Sequence, residues 1–270
     1  MKLAFSTLGC PDWKFSEIYA TAKDLGLAGV EIRGIANEMS APRIKAFSPE
    51  QLPKTLEKLG EKNLEIPMLT SGAVLGDPEK VAAYVAEAKE YLDLAEKLGT
   101  PYVRVLISPD TFPKESDDLE CCKRAYGELC DYATGRQVTP LIETNAALAD
   151  TGVLREFLQD VGRENMGVLW DIHHPFRYFG EAPRTTYDNI GKYVKYVHVK
   201  DSVMQGDKVE YRMMGYGDVP VFDSMKALHD GGYQGYVSLE WVKRWCPDLQ
   251  EPGIVFSHFA SYMNYLLNQL

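Results

Sequence analysis

Short apolar runs and longer segments with helical spacing alternate along the whole chain. The apolar runs have the usual length of buried strands. Between them, apolar residues recur every three or four positions, as on the buried face of an amphipathic helix. The predicted strands cover residues 3–6, 29–33, 64–69, 102–107, 139–143, 166–171, 194–199 and 236–240, and the helices that follow them cover 15–25, 49–59, 78–98, 119–133, 153–161, 185–190, 222–229 and 252–267.

Residues that begin or end helices support several of these boundaries. Asp77 before Pro78 is an N-cap followed by a proline at the first helical position. Ser48 is a suitable cap for the helix that follows it. Gly60 and Gly99 each stand directly after a helical segment, where glycine commonly ends a helix. We therefore expect the second and third helices to begin at residues 49 and 78.

Eight strand-then-helix units in about 250 residues predict an α/β protein with the (β/α)8 TIM-barrel fold. The rival is a doubly wound open sheet, which more often has fewer units and a glycine-rich first turn. The first turn here reads Thr7-Leu8-Gly9-Cys10 and lacks the G-x-G-x-x-G pattern. No break in composition, linker or low-complexity segment divides the chain, so residues 1–270 are predicted to form one barrel domain.

The fifth to eighth predicted strands each carry a carboxylate or a histidine at or next to the carboxyl end. These are Glu143, Asp171, His198 and Glu240, in the fifth to eighth strands. A lone acidic group or histidine at a strand end is usually a surface group, and Asp171 alone is also a suitable helix cap. In a barrel, however, the carboxyl ends of all strands lie at the face where active sites form. Four such residues in successive units predict convergence on one divalent cation, because buried charges need a partner or a metal.

Three carboxylates and one imidazole form an oxygen-rich ligand set. Such a set suits Mn²⁺, Mg²⁺ or Co²⁺ better than a thiol-seeking ion, with Mn²⁺ as the first choice, and Zn²⁺ is a further alternative. Carboxylates packed together repel one another, and a cation removes that repulsion. The five cysteines include no Cys-x-x-Cys pair, so neither a thiolate metal site nor a disulfide framework is predicted.

The charge and the apolar segments limit the partners. The chain has a formal net charge of −10, which argues against binding to a nucleic-acid backbone. The apolar run after Met1 and Lys2 is too short for a signal peptide, and no segment has the roughly 20 apolar residues that a membrane span needs. With an odd number of cysteines that are expected to be reduced, these features predict a cytoplasmic protein with no membrane or nucleic-acid partner.

Five motifs in the second half of the chain resemble the sugar isomerase/epimerase superfamily, which is the group of xylose-isomerase-like TIM barrels. They are Pro-Leu-Ile-Glu ending at Glu143, Trp-Asp-Ile-His-His at 170–174, His-Val-Lys-Asp at 198–201, Gly-Tyr-Gly-Asp-Val-Pro at 215–220 and Ser-Leu-Glu ending at Glu240. The superfamily includes ketose 3-epimerases, hydroxypyruvate isomerases, inosose dehydratases and, more distantly, endonuclease IV. The resemblance implies a metal-dependent enzyme that acts on a small carbohydrate, without naming the sugar.

The resemblance also implies roles for individual residues. Glu143, Asp171, His198 and Glu240 match the four metal ligands, and Glu143 and Glu240 also match the paired acid–base residues. His174 matches the histidine that reaches the substrate oxygens. Relatives are often dimers or tetramers, so a homo-oligomer is an open expectation.

One departure from the superfamily pattern concerns the loop after His198. Ketose epimerases place an arginine six residues after the metal-binding histidine, and this chain has Met204 there, which argues against a ketose 3-epimerase specificity. Arg212 from the same loop is a candidate substrate ligand that could supply the positive charge that is missing at position 204. The alternative is that the Arg212 side chain is simply solvated. Lys200 shares the strand face of His198 by alternation. It is a candidate substrate ligand or the ion-pair partner of a barrel carboxylate.

Two other sets of residues have more than one interpretation. Gly215 and Gly217 offer backbone N–H groups that suit a phosphate, but Arg212 is the only basic neighbour, so a phosphorylated substrate is the minority hypothesis. Glu31, Arg33 and Arg104 occupy strand positions that can face inward. For these three side chains an interior ion network is preferred over a substrate contact.

The predicted reaction is proton abstraction beside a carbonyl. The cation stabilises the ene-diolate as a Lewis acid, one of Glu143 and Glu240 removes the proton, and the other returns it. If the proton returns to the opposite face of the same carbon, the product is an epimer. If it returns to the neighbouring carbon, aldose and ketose interconvert. If the intermediate instead loses a β-hydroxyl, the reaction is a dehydration. An isomerase or epimerase is therefore the first hypothesis and a lyase of the inosose-dehydratase type the alternative. The charge disfavours a DNA-repair enzyme, and the two intact glutamates disfavour a non-catalytic sugar-binding barrel.

Overall fold

The structure is a computed structural model that describes all residues from Met1 to Leu270. Its strands are β1 (Lys2–Ser6), β2 (Gly29–Glu31), β3 (Met68–Val74), β4 (Tyr102–Leu106), β5 (Thr139–Glu143), β6 (Gly167–Asp171), β7 (Val194–Val199), β8 (Asp201–Gln205), β9 (Lys208–Arg212) and β10 (Tyr236–Leu239). Eight of them form one sheet in the order β2-β1-β10-β7-β6-β5-β4-β3, and β8 and β9 form a separate antiparallel hairpin.

The helices occupy the connections between the strands of the larger sheet. They are α1 (Phe15–Asp24), α2 (Leu52–Glu61), α3 (Val81–Leu98), α4 (Leu119–Ala133), α5 (Thr151–Val161), α6 (His173–Phe179), α7 (Pro183–Ile190), α8 (Val221–Asp230) and α9 (Pro252–Leu267). None of these helices combines the length and the apolar character that crossing a membrane requires.

The first of two compact units comprises Met1–Ile66 and Val197–Leu270. Here β1 is the central strand and pairs in parallel with β2 on one side and β10 on the other. Phe5 of β1 is fully buried and stacks on Phe256 of α9, with ring centroids 4.0 Å apart. Gly29 of β2 also forms a parallel bridge with Glu65, just before β3. β2 therefore has a parallel neighbour on both of its sides.

The second unit, Pro67–Tyr196, contains β3 to β6 as four consecutive parallel strands. The buried hydroxyl of Tyr126, on α4, lies 2.9 Å from the carbonyl oxygen of Pro140 and 2.8 Å from that of Gly167. It also accepts a hydrogen bond from the Gly167 N–H at 3.0 Å. Burial raises the pKa of Tyr126 well above its usual value, so the hydroxyl stays neutral and ties α4 to the beginnings of β5 and β6.

The predicted α/β fold class, a (β/α)8 TIM barrel, is confirmed by the strand order and by a helix after each strand of the sheet. The parallel pairing also fits the prediction, since βαβ connections place successive strands side by side in the same direction. That residues 1–270 form a single domain stays a prediction.

Two predicted helix boundaries are wrong by three residues. Helix α2 begins at Leu52 rather than at 49, and α3 begins at Val81 rather than at 78. The predicted caps do accept hydrogen bonds, because the N–H groups of Leu52 and Val81 donate to the carbonyl oxygens of Ser48 and Asp77, each at 2.8 Å. The caps therefore begin a turn that leads into the helix, and the regular helix starts after that turn.

Two elements were not predicted, and both follow a strand that carries candidate ligands. Helix α6 comes directly after β6, and its Pro175 is tolerated because it lies in the first turn, where no intrahelical N–H bond is lost. The β8–β9 hairpin comes directly after β7.

The predicted start of the third strand is wrong by four residues. Strand β3 begins at Met68 rather than at residue 64, immediately after Pro67, which has no N–H to donate.

Candidate metal centre

The four predicted metal ligands lie at the carboxyl ends of their strands. Glu143 and Asp171 are the last residues of β5 and β6, His198 is the next-to-last residue of β7, and Glu240 directly follows β10. Each of the four is 7% exposed or less. Each offers one ligand atom, and these atoms all lie within 4.8 Å of one another. The predicted convergence of the four side chains is therefore present, and their individual roles stay predictions.

Arg104 of β4 forms a buried ion pair with Glu143. Its Nη1 donates to Glu143 Oε2 at 2.9 Å, and its Nη2 donates to the carbonyl oxygen of Ser71 at 2.6 Å. The Ser71 hydroxyl in turn donates to the carbonyl oxygen of Arg104 at 2.5 Å. Because Arg104 pairs with Leu141, two residues before Glu143, the arginine and the glutamate face the same side of the sheet. The guanidinium therefore holds Glu143 in a defined position.

His174 lies one helical turn after Asp171, at the beginning of α6. Its Nδ1 is 2.8 Å from the carbonyl oxygen of Thr144, and because a carbonyl only accepts, Nδ1 carries a proton. Its Nε2 faces Asp171 Oδ2 at 3.7 Å. Asp171 Oδ1 accepts from the backbone N–H of His173 at 2.9 Å, so Asp171 also stabilises the beginning of α6. Asp171, His173 and His174 form a further compact group of possible metal ligands.

Glu31, the last residue of β2, contacts His198. His198 Nε2 lies 2.9 Å from Glu31 Oε2, and His198 Nδ1 lies 3.6 Å from Glu240 Oε1. An ionised carboxylate only accepts, so Nε2 carries a proton and Nδ1 is the nitrogen on the Glu240 side. The interior ion network expected for Glu31, Arg33 and Arg104 is therefore present for Glu31, which contacts His198, and for Arg104, which contacts Glu143. Arg33 is half-buried, and its guanidinium lies 6.0 Å from the ring centroid of Trp245.

Lys200 directly follows β7 and is the ion-pair partner of Glu240. Its Nζ donates to Glu240 Oε2 at 2.5 Å, and the two residues are 2% and 7% exposed. The expected pairing with a barrel carboxylate is thus present. A role for Lys200 as a substrate ligand stays a prediction.

Negative charge exceeds positive charge among these buried groups. Four carboxylates and two cations are present, namely Glu31, Glu143, Asp171 and Glu240 against Arg104 and Lys200. One divalent cation would balance this excess when the imidazoles are neutral, and it would relieve the repulsion between the carboxylates. Three carboxylate ligands and one imidazole match the preferences of an oxygen-seeking divalent ion. The residues present therefore fit the metal that the sequence predicts.

Apart from histidines, Asp201 is the one other buried charged residue, and it begins β8. Its Oδ2 accepts from the N–H groups of Gly215 and Gly217, both at 2.9 Å. Its Oδ1 accepts from Ser202 at 2.9 Å and from Val219 at 3.3 Å. The interpretation of the two glycines as a phosphate site is therefore wrong, because the Asp201 carboxylate already accepts from their N–H groups.

The contact between Asp201 and the glycine loop makes Gly217 intolerant of a side chain. A Cβ atom at Gly217 would overlap Asp201 Oδ1 and the carbonyl oxygen of Ser202. We expect Gly217→Ala to lower the free energy of unfolding by about 1–3 kcal/mol, the usual cost of overpacking, as measured by urea denaturation. Gly60→Ala is the control, because Gly60 lies in α2 with nothing near its Cβ position. Equal stability of the two variants would contradict the assigned Asp201 contacts.

The β8–β9 hairpin carries Arg212 and Met204, the two residues on which the sequence-based expectation about substrate specificity rests. Arg212 ends β9 opposite Asp201 in the hairpin register, and its Nη1 pairs with Glu210 Oε1 at 2.8 Å. Met204 is 43% exposed and lies next to the turn. In this register Arg212 lies at the base of the hairpin, beside Asp201, which directly follows Lys200. Its predicted contact with substrate stays a prediction.

The role of Asp201 was missed in the sequence, although a signal was available. Asp201 closes the His-Val-Lys-Asp motif at 198–201, and no role of its own is predicted for it. Gly215 and Gly217 were the signal, because closely spaced glycines allow another group to approach the backbone. The approaching group is a carboxylate of the same chain rather than a ligand.

No cysteine belongs to either group of possible metal ligands. All five are free, and burial raises the pKa of each thiol, with that of Cys130 reaching about 12. A protonated thiol is a poor metal ligand and a poor nucleophile. Carboxylates and imidazoles are therefore the groups available for cation binding.

Comparison with known proteins agrees with this architecture. A family model described as the xylose isomerase-like TIM barrel matches residues 19–256. Fructoselysine 3-epimerase of Escherichia coli O157:H7 is 24% identical over 266 residues, which cover 90% of each chain.

Two solved structures share the fold. The probable 3-DHS dehydratase AsbF, involved in petrobactin synthesis in Bacillus anthracis, has a TM-score of 0.80 at 16% identity, covering 98% of this chain and 99% of that one. A xylose isomerase-like TIM barrel protein from Mycobacterium smegmatis, in complex with magnesium, has a TM-score of 0.75 at 15% identity, covering 99% of this chain and 97% of that one. With most of its length matched by the family model, the chain belongs to the xylose isomerase-like TIM barrel family.

Proposed function

We propose that this protein is a divalent-metal-dependent isomerase or epimerase that acts on a sugar or keto-sugar by proton transfer. The observation that carries the proposal is the set of four buried ligand atoms, on Glu143, Asp171, His198 and Glu240, within 4.8 Å of one another. Two of the four residues are glutamates, which are suited to removing and returning a proton. Similarity to fructoselysine 3-epimerase supports an epimerase.

Mn²⁺ is the proposed ion, with Mg²⁺, Co²⁺ and Zn²⁺ as alternatives. When bound, a divalent cation supplies positive charge beside the substrate oxygens and stabilises the negative charge that develops as a neighbouring proton leaves. Glu143, Asp171, His198 and Glu240 would hold it. The magnesium complex of the relative from Mycobacterium smegmatis supports a divalent ion in this family.

Glu143 and Glu240 divide the proton transfer between them. Each glutamate has its Oε2 engaged by a buried cation, Arg104 for Glu143 and Lys200 for Glu240. These ion pairs restrict the rotation of both carboxylates. Less conformational entropy is therefore lost when the carboxylates are oriented towards a bound substrate. The glutamate that is ionised removes the proton beside the carbonyl, and the other, which must be protonated when the substrate is bound, delivers its proton to the same carbon or its neighbour. Exchange of protons with water then restores the starting protonation states.

His174 is the proposed ligand of the substrate hydroxyls. Its Nδ1 proton is held by the Thr144 carbonyl oxygen, so Nε2 is the ring nitrogen proposed to contact the substrate. Lys200 and Arg212 are proposed to place positive charge near the substrate oxygens. Lys200 does so from its pair with Glu240, and Arg212 from the base of the hairpin.

The alternative function is a metal-dependent lyase on a keto-sugar or keto-polyol. The fold that this chain shares with the probable dehydratase AsbF supports a lyase as the alternative. In both reactions a glutamate first removes the proton beside the carbonyl. They differ in the next step, because a lyase then loses a β-hydroxyl as water, whereas an epimerase returns a proton to carbon.

Metal binding tests the first part of the proposal. Protein dialysed against a chelator and then against buffer should gain thermal stability with Mn²⁺, because a ligand that binds only the folded state stabilises it by about 2.7 kcal/mol at 100 times its Kd. Mg²⁺, Co²⁺ and Zn²⁺ are compared in parallel, and KCl at matched ionic strength is the control. A melting temperature that does not change with any of the four ions would contradict the metal site.

A sugar panel tests the reaction. Metal-loaded protein is incubated with ketoses and keto-sugars in D₂O, and products are followed by NMR. We expect an epimer or isomer that carries deuterium on the carbon beside the carbonyl. Loss of water without any epimer would favour the lyase. Metal binding without either product would point to a sugar-binding barrel that lacks catalysis.

A further inference from the structure

A buried carboxylate outside the group of four candidate ligands contacts His198. His198 Nε2 lies 2.9 Å from Glu31 Oε2, and both residues are fully buried. The other ring nitrogen, Nδ1, lies 3.6 Å from Glu240 Oε1. The imidazole therefore spans two carboxylates, and only that of Glu240 belongs to the ligand group.

The backbone at Glu31 and just after it is held by β1 and the residue that follows β1. Glu31 pairs with Ser6 in the register of β1 and β2. The hydroxyl of Thr7 accepts from the N–H of Arg33 at 2.8 Å and donates to the carbonyl oxygen of Gly34 at 2.6 Å. The chain after Glu31 is therefore tied to the chain after β1, so the Glu31 carboxylate is presented from a fixed backbone.

We infer that Glu31 is a positioning residue that prepares His198 to bind the cation through Nδ1. The carboxylate accepts the Nε2 proton, which selects one tautomer of the ring and leaves the Nδ1 lone pair on the side of Glu240. A carboxylate partner also makes the opposite nitrogen a more basic ligand. The inference rests on the proposed metal site, and it adds that metal affinity depends on a residue outside the ligand group.

A role in packing alone leads to a different expectation. The buried cluster has more negative than positive groups, so neutralising Glu31 relieves repulsion in the metal-free protein. Glu31→Gln should then leave the metal-free melting temperature unchanged or raised while it weakens metal binding. A packing role would lower the metal-free melting temperature and leave metal affinity as it was.

Isothermal titration with Mn²⁺ alone provides the first test. We expect Glu31→Ala to bind Mn²⁺ about 10–100-fold more weakly than the wild type, the usual effect of removing the partner of a metal-binding histidine. Glu31→Gln should lose less, because the amide oxygen still accepts the Nε2 proton. The control is Glu65→Gln, which alters a half-exposed glutamate of the same unit that binds Lys2 and Tyr236. It should bind Mn²⁺ like the wild type.

The tautomer of His198 provides a second test that a packing role would not affect. Nitrogen NMR of Zn²⁺-loaded protein with labelled histidine should place the proton on Nε2 and the metal on Nδ1 in the wild type. Glu31→Ala should lose this single pattern, and if that variant does not fold, Glu31→Gln carries the affinity test. Unchanged affinity in both variants would overturn the inference alone, whereas a wild type that binds no divalent cation would overturn it together with the proposed function.

Discussion

Replacing Glu240 by glutamine is expected to abolish the exchange of the substrate C–H proton with D₂O. Loss of one proton-transfer group typically lowers turnover by about 10²–10⁴-fold. Glutamine keeps the size of the side chain and a carbonyl oxygen that can face Lys200 and the cation, so turnover should fall far more than metal affinity. The measurement is the rate of deuterium incorporation by NMR, with the metal content determined in the same sample.

The matched control for Glu240→Gln is Glu251→Gln. Glu251 Oε1 also pairs with a lysine, Lys243, at 2.8 Å, but its side chain is 75% exposed. We expect this variant to exchange the proton at the wild-type rate. If Glu240→Gln retained exchange at normal metal content, Glu240 would not be the group that removes the proton.

Arg104→Leu is expected to have the largest effect on stability. It removes the guanidinium and leaves the Glu143 carboxylate buried without its cation, and breaking a buried ion pair in this way costs about 3–5 kcal/mol. The free energy of unfolding is measured by urea denaturation of metal-free protein. Mn²⁺ should restore part of the loss, because the cation then compensates the charge of Glu143.

Arg163→Leu is the control for the loss of the Arg104 guanidinium. Arg163 forms a two-pronged pair with Asp131, at 2.7 and 3.1 Å, but the two side chains are 47% and 57% exposed. Exposed ion pairs contribute little because water and salt screen them, so we expect little change in the free energy of unfolding. Equal losses in the two variants would contradict a special role for the buried pair.

The strands and the candidate ligands were accessible from the sequence because both depend on local patterns. A buried parallel strand is a continuous apolar run, as in Val168-Leu169-Trp170 before Asp171. An ionisable residue that ends such a run must have a partner, since its desolvation is costly. Glu143 could be located in the same way at the end of β5.

The partners of these ligands were not accessible, because they depend on register between strands. Arg104 and Glu143 are 39 residues apart and meet because Arg104 pairs with Leu141. A slip of one residue would turn the arginine to the other face of the sheet. Periodicity predicts which face a side chain occupies and not which residue of the next strand lies beside it. The same holds for Glu31 and His198.

The β8–β9 hairpin was missed because a helix was expected after every strand. Its turn, Gly206-Asp207, is a recognised hairpin signal between two runs of suitable length. Only Asp201 and Ser202 of the hairpin strands are buried, and polar residues interrupt both strands, so they lack the continuous apolar run that marks the larger sheet. A local turn signal was therefore outweighed by the regular repeat around it.

The surplus of buried carboxylates has a practical consequence for handling the protein. A chelating buffer would remove the proposed ion that offsets this surplus, and would leave like charges facing one another in a medium of low dielectric constant. Partial opening at the strand ends lets water reach those charges, and opened chains are the ones that proteases cut and that aggregate. Storage stability and resistance to proteolysis should therefore increase with the metal content of each preparation. Protein purified with EDTA and protein purified without it should be characterised separately.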